Sequence, residues 1–299
     1  MIPTLRLRGI NRALDSTLVM GVVNASPESF SDAGRFSSLQ AQIELAASLI
    51  DSGADIIDVG GQSAITNQPE LEAGLERERV LPIVEWLAEN HPDVLISVDT
   101  YKPEVVAAVL AAGADIINDV SGLKYPELAS MCAEHGAALV IMHTAAPPKV
   151  RLQRHDLYDD ITSEVCDFLV ERMEIAVAAG LSQDSVILDP GPDFTKTPRQ
   201  TVDLLRNIDV FRELDRPLLL ALSRKDFLGA ITGRTPKSRD AATAAALAFF
   251  ASAPGNIVRV HDVKAAVDVI ATVETLIGKR DIAVDYVLPD SLRYEPRSE

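Results

Sequence analysis

The chain has 299 residues, of which 47% are hydrophobic, and a formal net charge of −16, which is typical of a globular protein with one large core or two ordinary ones. The negative charge repels phosphate backbones, so a nucleic acid is a poor candidate partner and any anionic ligand needs a local cluster of donors. Because the sequence shows no charged and apolar leader, no membrane-length apolar run and only two cysteines, Cys132 and Cys166, we expect a cytoplasmic protein rather than a secreted disulfide scaffold or a membrane protein.

One structural unit repeats along the chain. It consists of a short run rich in Val, Ile and Leu, a turn, and a longer amphipathic stretch. In the first amphipathic stretch, Ile43, Ala46, Ala47 and Ile50 recur at helical spacing, and Gly53 supplies a C-terminal stop. The apolar runs are predicted strands, at residues 18–24, 54–61, 94–100, 114–122, 137–144, 185–191, 217–225 and 256–263.

The alternation of strands and helices predicts the fold class. Continuous apolar strands separated by helices indicate a parallel sheet that is covered on both faces. Eight such units in about 260 residues predict an α/β protein with a closed (β/α)8 TIM barrel, and an open doubly wound sheet is the alternative. No linker rich in Gly, Pro or Ser divides the chain, so we expect one domain at residues 1–280 and a polar C-terminal tail at 281–299.

Nearly every predicted strand ends on a polar or ionisable side chain. In a barrel these ends converge on one face, where barrel enzymes keep their active sites. Singly, each side chain can cap the next helix, and Arg259 can pair with a neighbouring carboxylate. As a set they predict a ligand pocket, because stability alone does not need such a ring. The set comprises Asn24, Asp58, Asp99, Asn118, His143, Asp189, Lys225, Arg259 and His261.

Four members of this set suit a flat heterocycle. The carboxylates of Asp99 and Asp189 accept hydrogen bonds, the Asn118 side chain donates and accepts, and Lys225 donates. Together they match a ring that carries amine, ring N–H and carbonyl groups along its edges.

Three other members suit a phosphate and a metal ion. Arg259 and His261 on the last strand are suited to a phosphate or pyrophosphate, and Asn24 on the first strand can present an oxygen to Mg²⁺. The first and last strands become neighbours when a barrel closes, so these side chains are expected to lie close together.

Eight segments resemble, in order and spacing along almost the whole chain, the dihydropteroate synthase family of pterin-binding barrel enzymes. They are "MGVVNASPESFSDAGRF", "DIIDVGGQS", "SVDTYK", "IINDVSG", "IMH", "LDPG", "LSRKDFLG" and "IVRVHDV". The resemblance implies a folate-pathway enzyme, the target of sulfonamides, that joins 6-hydroxymethyl-7,8-dihydropterin pyrophosphate to p-aminobenzoate with the help of Mg²⁺. It also implies a homodimer, for which the apolar segment at 241–253 is a candidate interface, although burial against the barrel is the simpler explanation for most of that segment.

The resemblance implies roles for the strand-end residues. The pterin would be held by Asp99, Asn118, Asp189 and Lys225, the pyrophosphate by Arg259 and His261, and the metal by Asn24. These roles agree with those suggested by the chemistry of the side chains.

The loop after the second strand departs from the family. Members usually read Gly-Gly-Glu-Ser-Thr-Arg-Pro-Gly where this chain has residues 60–67, and Ala64 and Ile65 replace the Thr and the Arg. The family pair lies beside the p-aminobenzoate subsite and helps to meet the departing pyrophosphate. An alkyl side chain cannot replace a guanidinium. The loss is expected to cost roughly 2 to 4 kcal/mol of transition-state stabilisation, or some tens- to a thousandfold in rate.

Two further sites depart from the family. In "DPGPDFTK", Asp193 and Thr195 stand where the family has glycines. Their side chains disfavour backbone angles that glycine permits. The charge of Asp193 is expected to repel a pyrophosphate by roughly 1 to 4 kcal/mol at contact distance. On the seventh strand, Ala221 replaces a glycine that usually forms the floor of the pterin pocket, and its methyl group can crowd a flat ring.

Three hypotheses follow. The first is a divergent paralogue that keeps the pterin pocket and has lost most or all synthase activity, since the departures cluster on loops while the strand-borne residues remain. The second is an active dihydropteroate synthase. The third is another pterin-dependent transferase, because methyltetrahydrofolate-dependent methyltransferases use a related barrel; the synthase-like "SFSDAG" and "VRVHDV" argue against it.

Overall fold

The computed structural model describes residues 2–25, 38–62 and 69–295, and its centre is a closed barrel of eight parallel strands. Each barrel strand pairs with the next, and the last pairs with the first, so the (β/α)8 prediction is confirmed and the open sheet is excluded. A two-stranded antiparallel hairpin precedes the barrel. The hairpin strands are β1 (Thr4–Leu7) and β2 (Ile10–Ala13), and the barrel strands are β3 (Leu18–Asn24), β4 (Ile56–Gly60), β5 (Leu95–Asp99), β6 (Ile116–Asp119), β7 (Ala138–Met142), β8 (Val186–Asp189), β9 (Leu218–Leu220) and β10 (Asn256–Val260).

Helices cover the outside of the barrel. Most barrel strands are followed by one helix, and β8 and β9 are each followed by two. The helices are α1 (Leu39–Asp51), α2 (Ala73–Asn90), α3 (Pro103–Ala111), α4 (Glu127–His135), α5 (Ile161–Ala178), α6 (Pro198–Arg206), α7 (Ile208–Arg212), α8 (Asp226–Thr232), α9 (Asp240–Phe250) and α10 (Val263–Leu276). Among the described residues, none of these helices combines the length and apolarity that a membrane span requires.

The hairpin closes the amino-terminal end of the barrel, and the sequence did not predict it. Leu5 and Leu14 are almost fully buried against side chains from the starts of the barrel strands. Burying a leucine contributes roughly 1.5 to 3 kcal/mol, so this plug stabilises the barrel from one end.

Seven of the eight predicted barrel strands are longer in the sequence pattern than in the structure, and for one of them this changes where a candidate residue lies. The run at 217–225 forms a strand only over Leu218–Leu220. Lys225 therefore lies in the loop after β9, as the first boundary residue of α8, rather than at a strand end. The chain turns before it because Leu222 donates its N–H to the carbonyl of Leu220 and Arg224 adopts a left-handed φ of 59°.

The C-terminal segment lies outside the barrel. Helix α10 ends at Leu276, and residues 281–292 are exposed with one 3-10 turn at Asp290–Leu292. The exposed side chains include Ile282, Val284 and Tyr286, so the described part of this tail is more apolar than expected. The boundary at residue 280 stays a prediction.

Candidate functional site

The carboxyl ends of the barrel strands bring most of the predicted site residues to one face. Asn24, Asp99 and Asp189 are the last residues of β3, β5 and β8. Asn118 on β6 lies directly beside Asp99 in the strand register. The barrel thus places carboxylate and carboxamide groups from different strands around one opening.

Arg259 joins two of the carboxylates. Its Nε donates to Oδ2 of Asp58 at 2.6 Å, and a terminal nitrogen donates to Oδ2 of Asp99 at 3.1 Å. The Asp58 side chain is fully buried and also accepts from the hydroxyl of Ser97 at 2.6 Å. Arg259 was predicted to bind pyrophosphate, but it already pairs with two carboxylates. Such pairing was the alternative role for Arg259 in the sequence analysis.

Asn118 carries a buried acceptor that has no protein partner. Its amide group donates to both carboxylate oxygens of Asp58, at 3.3 and 3.4 Å. Its Oδ1 atom is buried without a hydrogen bond from any described residue. A buried acceptor of this kind costs free energy unless a donor reaches it, so it suits the N–H group of a ligand.

Asp99 and Asp189 have perturbed acidity. Burial raises the pKa of Asp99 to about 7, although the nearby Arg259 opposes this, and the buried neighbour Asp58 adds to it. Burial likewise raises the pKa of Asp189 to about 6, against the N–H of Gly191, which donates to its Oδ1 at 2.7 Å. Clustered carboxyl groups with raised pKa values are typical of ligand-binding and catalytic sites.

Lys225 reaches the same face from its loop. Its Nζ donates to the carbonyl of Pro192 at 3.2 Å and lies 4.3 Å from the centre of the Phe194 ring. Burial lowers the pKa of this ammonium group, while Asp193 and Asp189 favour its charge. The loops after β8 and β9 therefore meet at Lys225.

Lys196 is a site residue that the sequence did not single out. Its side chain is fully buried, and its Nζ lies 2.8 Å from Nδ1 of His143, 2.9 Å from the carbonyl of Gly191 and 3.0 Å from that of Phe194. Burial lowers the pKa of Lys196 to about 7, and burial together with Lys196 lowers that of His143 to about 2. The only available signal was a lysine in the loop after a predicted strand, which is too common a pattern to indicate a buried cation.

Asp193 and Thr195 adopt the backbone conformation that favours glycine. Their φ angles are 64° and 51°, both in the left-handed region. The Asp193 carboxylate does not face open space, because its Oδ2 accepts from the backbone N–H groups of Asp226 and Phe227 at 2.5 and 3.3 Å. These amides begin α8, so they offset part of the repulsion that the sequence predicted between Asp193 and an anion.

Of the remaining predicted residues, some are described by the structure and others are not. His261 lies just after β10 with its Nδ1 3.0 Å from the hydroxyl of Ser223, and Ala221 is buried one residue after β9. Ala64 and Ile65 lie outside the described residues, so their departure from the family remains a sequence observation. No cluster of three His, Cys, Asp or Glu side chains able to hold a metal is found within the described ranges.

Asn24 is nevertheless compatible with Mg²⁺. It ends β3 and is half-buried beside Gly60 of β4. Mg²⁺ commonly uses one or two protein oxygens and takes its other ligands from water and substrate phosphates, so a single carboxamide fits this chemistry.

A cavity of about 340 Å³ lies at the opposite, amino-terminal end of the barrel. Its lining includes Arg8, His91, Asp115 and His135, and an ion pair of 2.5 Å joins Arg8 to Asp115. None of the predicted site residues lines it. Barrel enzymes place their chemistry at the carboxyl ends of the strands, so we assign the candidate site to that face.

Comparison with known proteins shows which family the chain resembles. The family of pterin binding enzymes matches residues 20–261. A dihydropteroate synthase of Streptococcus pyogenes serotype M6 is 39% identical over 261 residues, which cover 86% of this chain and 95% of that protein. A solved Yersinia pestis dihydropteroate synthase with a sulfonamide drug complex has a TM-score of 0.86 at 34% identity and covers 92% of this chain and 99% of its own. A Xanthomonas albilineans dihydropteroate synthase with 4-aminobenzoic acid has a TM-score of 0.83 at 36% identity, covering 93% and 99% of the two chains.

Proposed function

The chain belongs to the pterin binding enzyme family, and from this premise we propose that it binds a dihydropterin at the carboxyl face of the barrel and retains little or no dihydropteroate synthase activity. The observation that carries the proposal is the buried, unpaired Oδ1 of Asn118 beside Asp99 in the register of β5 and β6. An acceptor without a described partner, next to a carboxylate with a raised pKa, matches a ring edge that presents N–H groups.

The proposed recognition uses four side chains. Asp189 and Asn118 accept hydrogen bonds from the N–H and amine groups of the ring, and Lys225 donates to its carbonyl edge. Asp99 is the fourth pterin-binding side chain, and the hydrogen bond from Arg259 orients its carboxylate. When bound at Asn24, Mg²⁺ would neutralise charge on a pyrophosphate group, and Arg259 and His261 would contact the same group from β10 and the loop after it.

Low synthase activity is proposed because the site is poorly equipped for the leaving group. Arg259 already compensates Asp58 and Asp99, and Ile65 brings no charge where the family usually has arginine. A preorganised cation is the usual means of stabilising a departing anion, so the chemical step is expected to be impaired more than pterin binding.

Restoring the family residues at 64 and 65 tests the proposal directly. We expect the double substitution Ala64→Thr and Ile65→Arg to raise synthase activity roughly ten- to a thousandfold, the range expected for a regained leaving-group cation. The measurement is dihydropteroate formation by the purified protein with both substrates and Mg²⁺. Ile65→Gln is the matched control, because it adds a polar side chain without a charge. High activity of the unchanged chain would refute the inactive hypothesis.

The affinity for a neutral pterin is expected to rise with pH between about 5 and 7.5. Asp189 and Asp99, with pKa values of about 6 and 7, accept hydrogen bonds from N–H groups most strongly, and on both oxygens, when they are ionised. Ligand N–H groups therefore favour the deprotonated forms, and below the pKa the affinity changes by up to about tenfold per pH unit for each group. Calorimetric titration in two buffers of different ionisation enthalpy measures the proton release, with the ligand's own titration followed by absorbance. A flat or falling affinity would contradict this role for the carboxylates.

An active synthase is the second candidate. The 39% identity to a named dihydropteroate synthase favours it, and so does the capping of the Asp193 charge by the amides of α8. Another pterin-dependent transferase is a third candidate, without a structural observation in its favour. A homodimer in the cytoplasm also belongs to the proposal; on α9, Phe249 is 71% exposed, in line with Ala245 and Ala241, which makes this helix the proposed interface.

A further inference from the structure

The loop between β8 and α6 is tied to both neighbouring loops by two side chains that stand where the family has glycines. The first is Asp193. Its Oδ2 accepts from the N–H groups of Asp226 and Phe227, and its Oδ1 accepts from the hydroxyl of Thr201 at 3.1 Å. The same hydroxyl accepts from the N–H of Asp193 at 3.1 Å. Asp193 thus joins the loop to α6 on one side and to the start of α8 on the other.

Thr195 makes the second link, to the loop after β7. Its hydroxyl accepts from the N–H of Ala145 at 2.9 Å and donates to the carbonyl of Phe194 at 2.8 Å. The hydroxyl of Tyr158 lies 3.3 Å from both the hydroxyl and the carbonyl of Thr195. Thr195 is buried, so these bonds are shielded from water.

Both links oppose a local conformational cost. Asp193 and Thr195 hold left-handed φ angles, which glycine adopts freely and which are unfavourable for a β-branched residue such as threonine. Strained residues persist where the surrounding structure over-determines them. Here each of the two side chains forms several specific hydrogen bonds that oppose this cost.

The two links flank Phe194, one of the two residues of this loop that contact Lys225. Phe194 lies between them and contacts the Lys225 ammonium through its ring, and Pro192 accepts from the same ammonium. From the other side, Arg239 donates to the carbonyls of Arg224 and Lys225 at 2.9 and 3.0 Å. Lys225 is therefore held between the loop that carries Phe194 and the backbone segment that Arg239 stabilises by hydrogen bonds.

We infer that Asp193 and Thr195 are positioning residues that fix Phe194 and Lys225 for recognition of an uncharged pterin ring, one without a pyrophosphate group. The inference rests on the proposed function, because Lys225 is a pterin-binding residue only under that proposal. It adds that Asp193 and Thr195 serve binding of the ring itself, since together they hold the loop that contacts its candidate donor, and Asp193 brings a carboxylate rather than a cation to this loop.

Affinity for 6-hydroxymethyl-7,8-dihydropterin, measured by calorimetry, tests the inference. We expect Asp193→Gly and Thr195→Gly each to weaken binding about tenfold or more, the loss that follows from one misplaced hydrogen bond to the ring. Asp193→Asn keeps an acceptor for the amides of α8, and Thr195→Ser keeps the hydroxyl, so both should bind within about threefold of the unchanged chain.

Asp160→Gly is the matched control. Asp160 is an exposed carboxylate that caps α5 by accepting from the N–H groups of Thr162 and Ser163, at 3.0 and 3.3 Å, without contacting the loop after β8. Its loss should lower the melting temperature and leave the affinity unchanged, which separates positioning from general stability.

The outcomes distinguish the two proposals. If the unchanged chain binds the pterin and the glycine variants bind it equally well or more tightly, the inference is overturned and the proposed function stands. If Asp193→Asn weakens binding as much as Asp193→Gly, the charge rather than the hydrogen bonding matters, and the inference is again overturned. If the unchanged chain does not bind the pterin at all, the proposed function fails and the inference fails with it. Should the glycine variants not fold, the Asn and Ser variants compared with Thr195→Val decide the matter.

Discussion

Replacing Arg259 with methionine is expected to lower the free energy of unfolding by about 3 to 5 kcal/mol, the usual cost of removing one partner from a buried ion pair. Arg259 compensates Asp58, whose side chain is fully buried, and Asp99, whose side chain is 20% exposed. Methionine fills similar space without a charge, so the loss is electrostatic rather than a cavity. Urea denaturation followed by circular dichroism measures it.

Two further variants isolate the buried pair. Arg199→Met removes an exposed pair with Asp203 of nearly the same length, 2.7 Å, and should cost no more than about 1 kcal/mol. Adding Asp58→Asn to Arg259→Met should recover part of the lost stability, because the buried charge left without a partner is then removed. Equal effects of Arg259→Met and Arg199→Met would show that Arg259 is not a structural cation.

The double pairing of Arg259 also bears on ligand binding. Its Nε and one terminal nitrogen are directed to carboxylates, so a pyrophosphate would meet a guanidinium whose charge is largely compensated. Pyrophosphate capture at β10 would then depend on the metal and on His261. This agrees with a site that recognises the ring better than the leaving group.

The barrel could be predicted because its strands are buried on both faces. Runs such as "ALVIM" in β7 are buried at every position, and continuous apolar runs of that length are typical of parallel strands. The order of strands and helices then restricts the topology. For the same reason, the side chains at strand ends could be assigned to one face before their distances were known.

The features that the sequence did not predict either lack a clear local pattern or depend on contacts between residues far apart in the chain. The hairpin strands β1 and β2 have only four residues each, and all four residues of β2 are exposed. No apolar run in the sequence therefore indicates the hairpin. The buried amine of Lys196 is stabilised by His143, 53 residues earlier. The capping of α8 by Asp193 likewise spans 33 residues, so a carboxylate that reads as repulsive in the sequence becomes a structural link in the fold.

A substitution at Asp189 is expected to change ligand binding more than folding. It is the last residue of β8 and is 3% exposed, and Gly191 occupies only its Oδ1 among the described donors. Its other oxygen has no hydrogen bond to a described residue, and Lys225 and Lys196 lie near enough to favour its charge. Asp119, at the end of β6, is equally buried, but both of its oxygens are used locally, by the N–H groups of Ser121 and Leu123.

Asp189→Asn should therefore abolish the rise in melting temperature that a neutral pterin causes in the unchanged chain. At a concentration one hundred times the dissociation constant, a ligand of the folded state adds about 2.7 kcal/mol of stability. The substitution keeps the acceptor for Gly191 but replaces the charged acceptor for the ring with an N–H donor, which opposes the donors of the ligand. Thermal unfolding with and without 6-hydroxymethyl-7,8-dihydropterin measures the shift. Asp119→Asn should lower the melting temperature and preserve the shift, because its carboxylate serves the backbone and not the ligand. A preserved shift in Asp189→Asn would place the pterin elsewhere on the barrel.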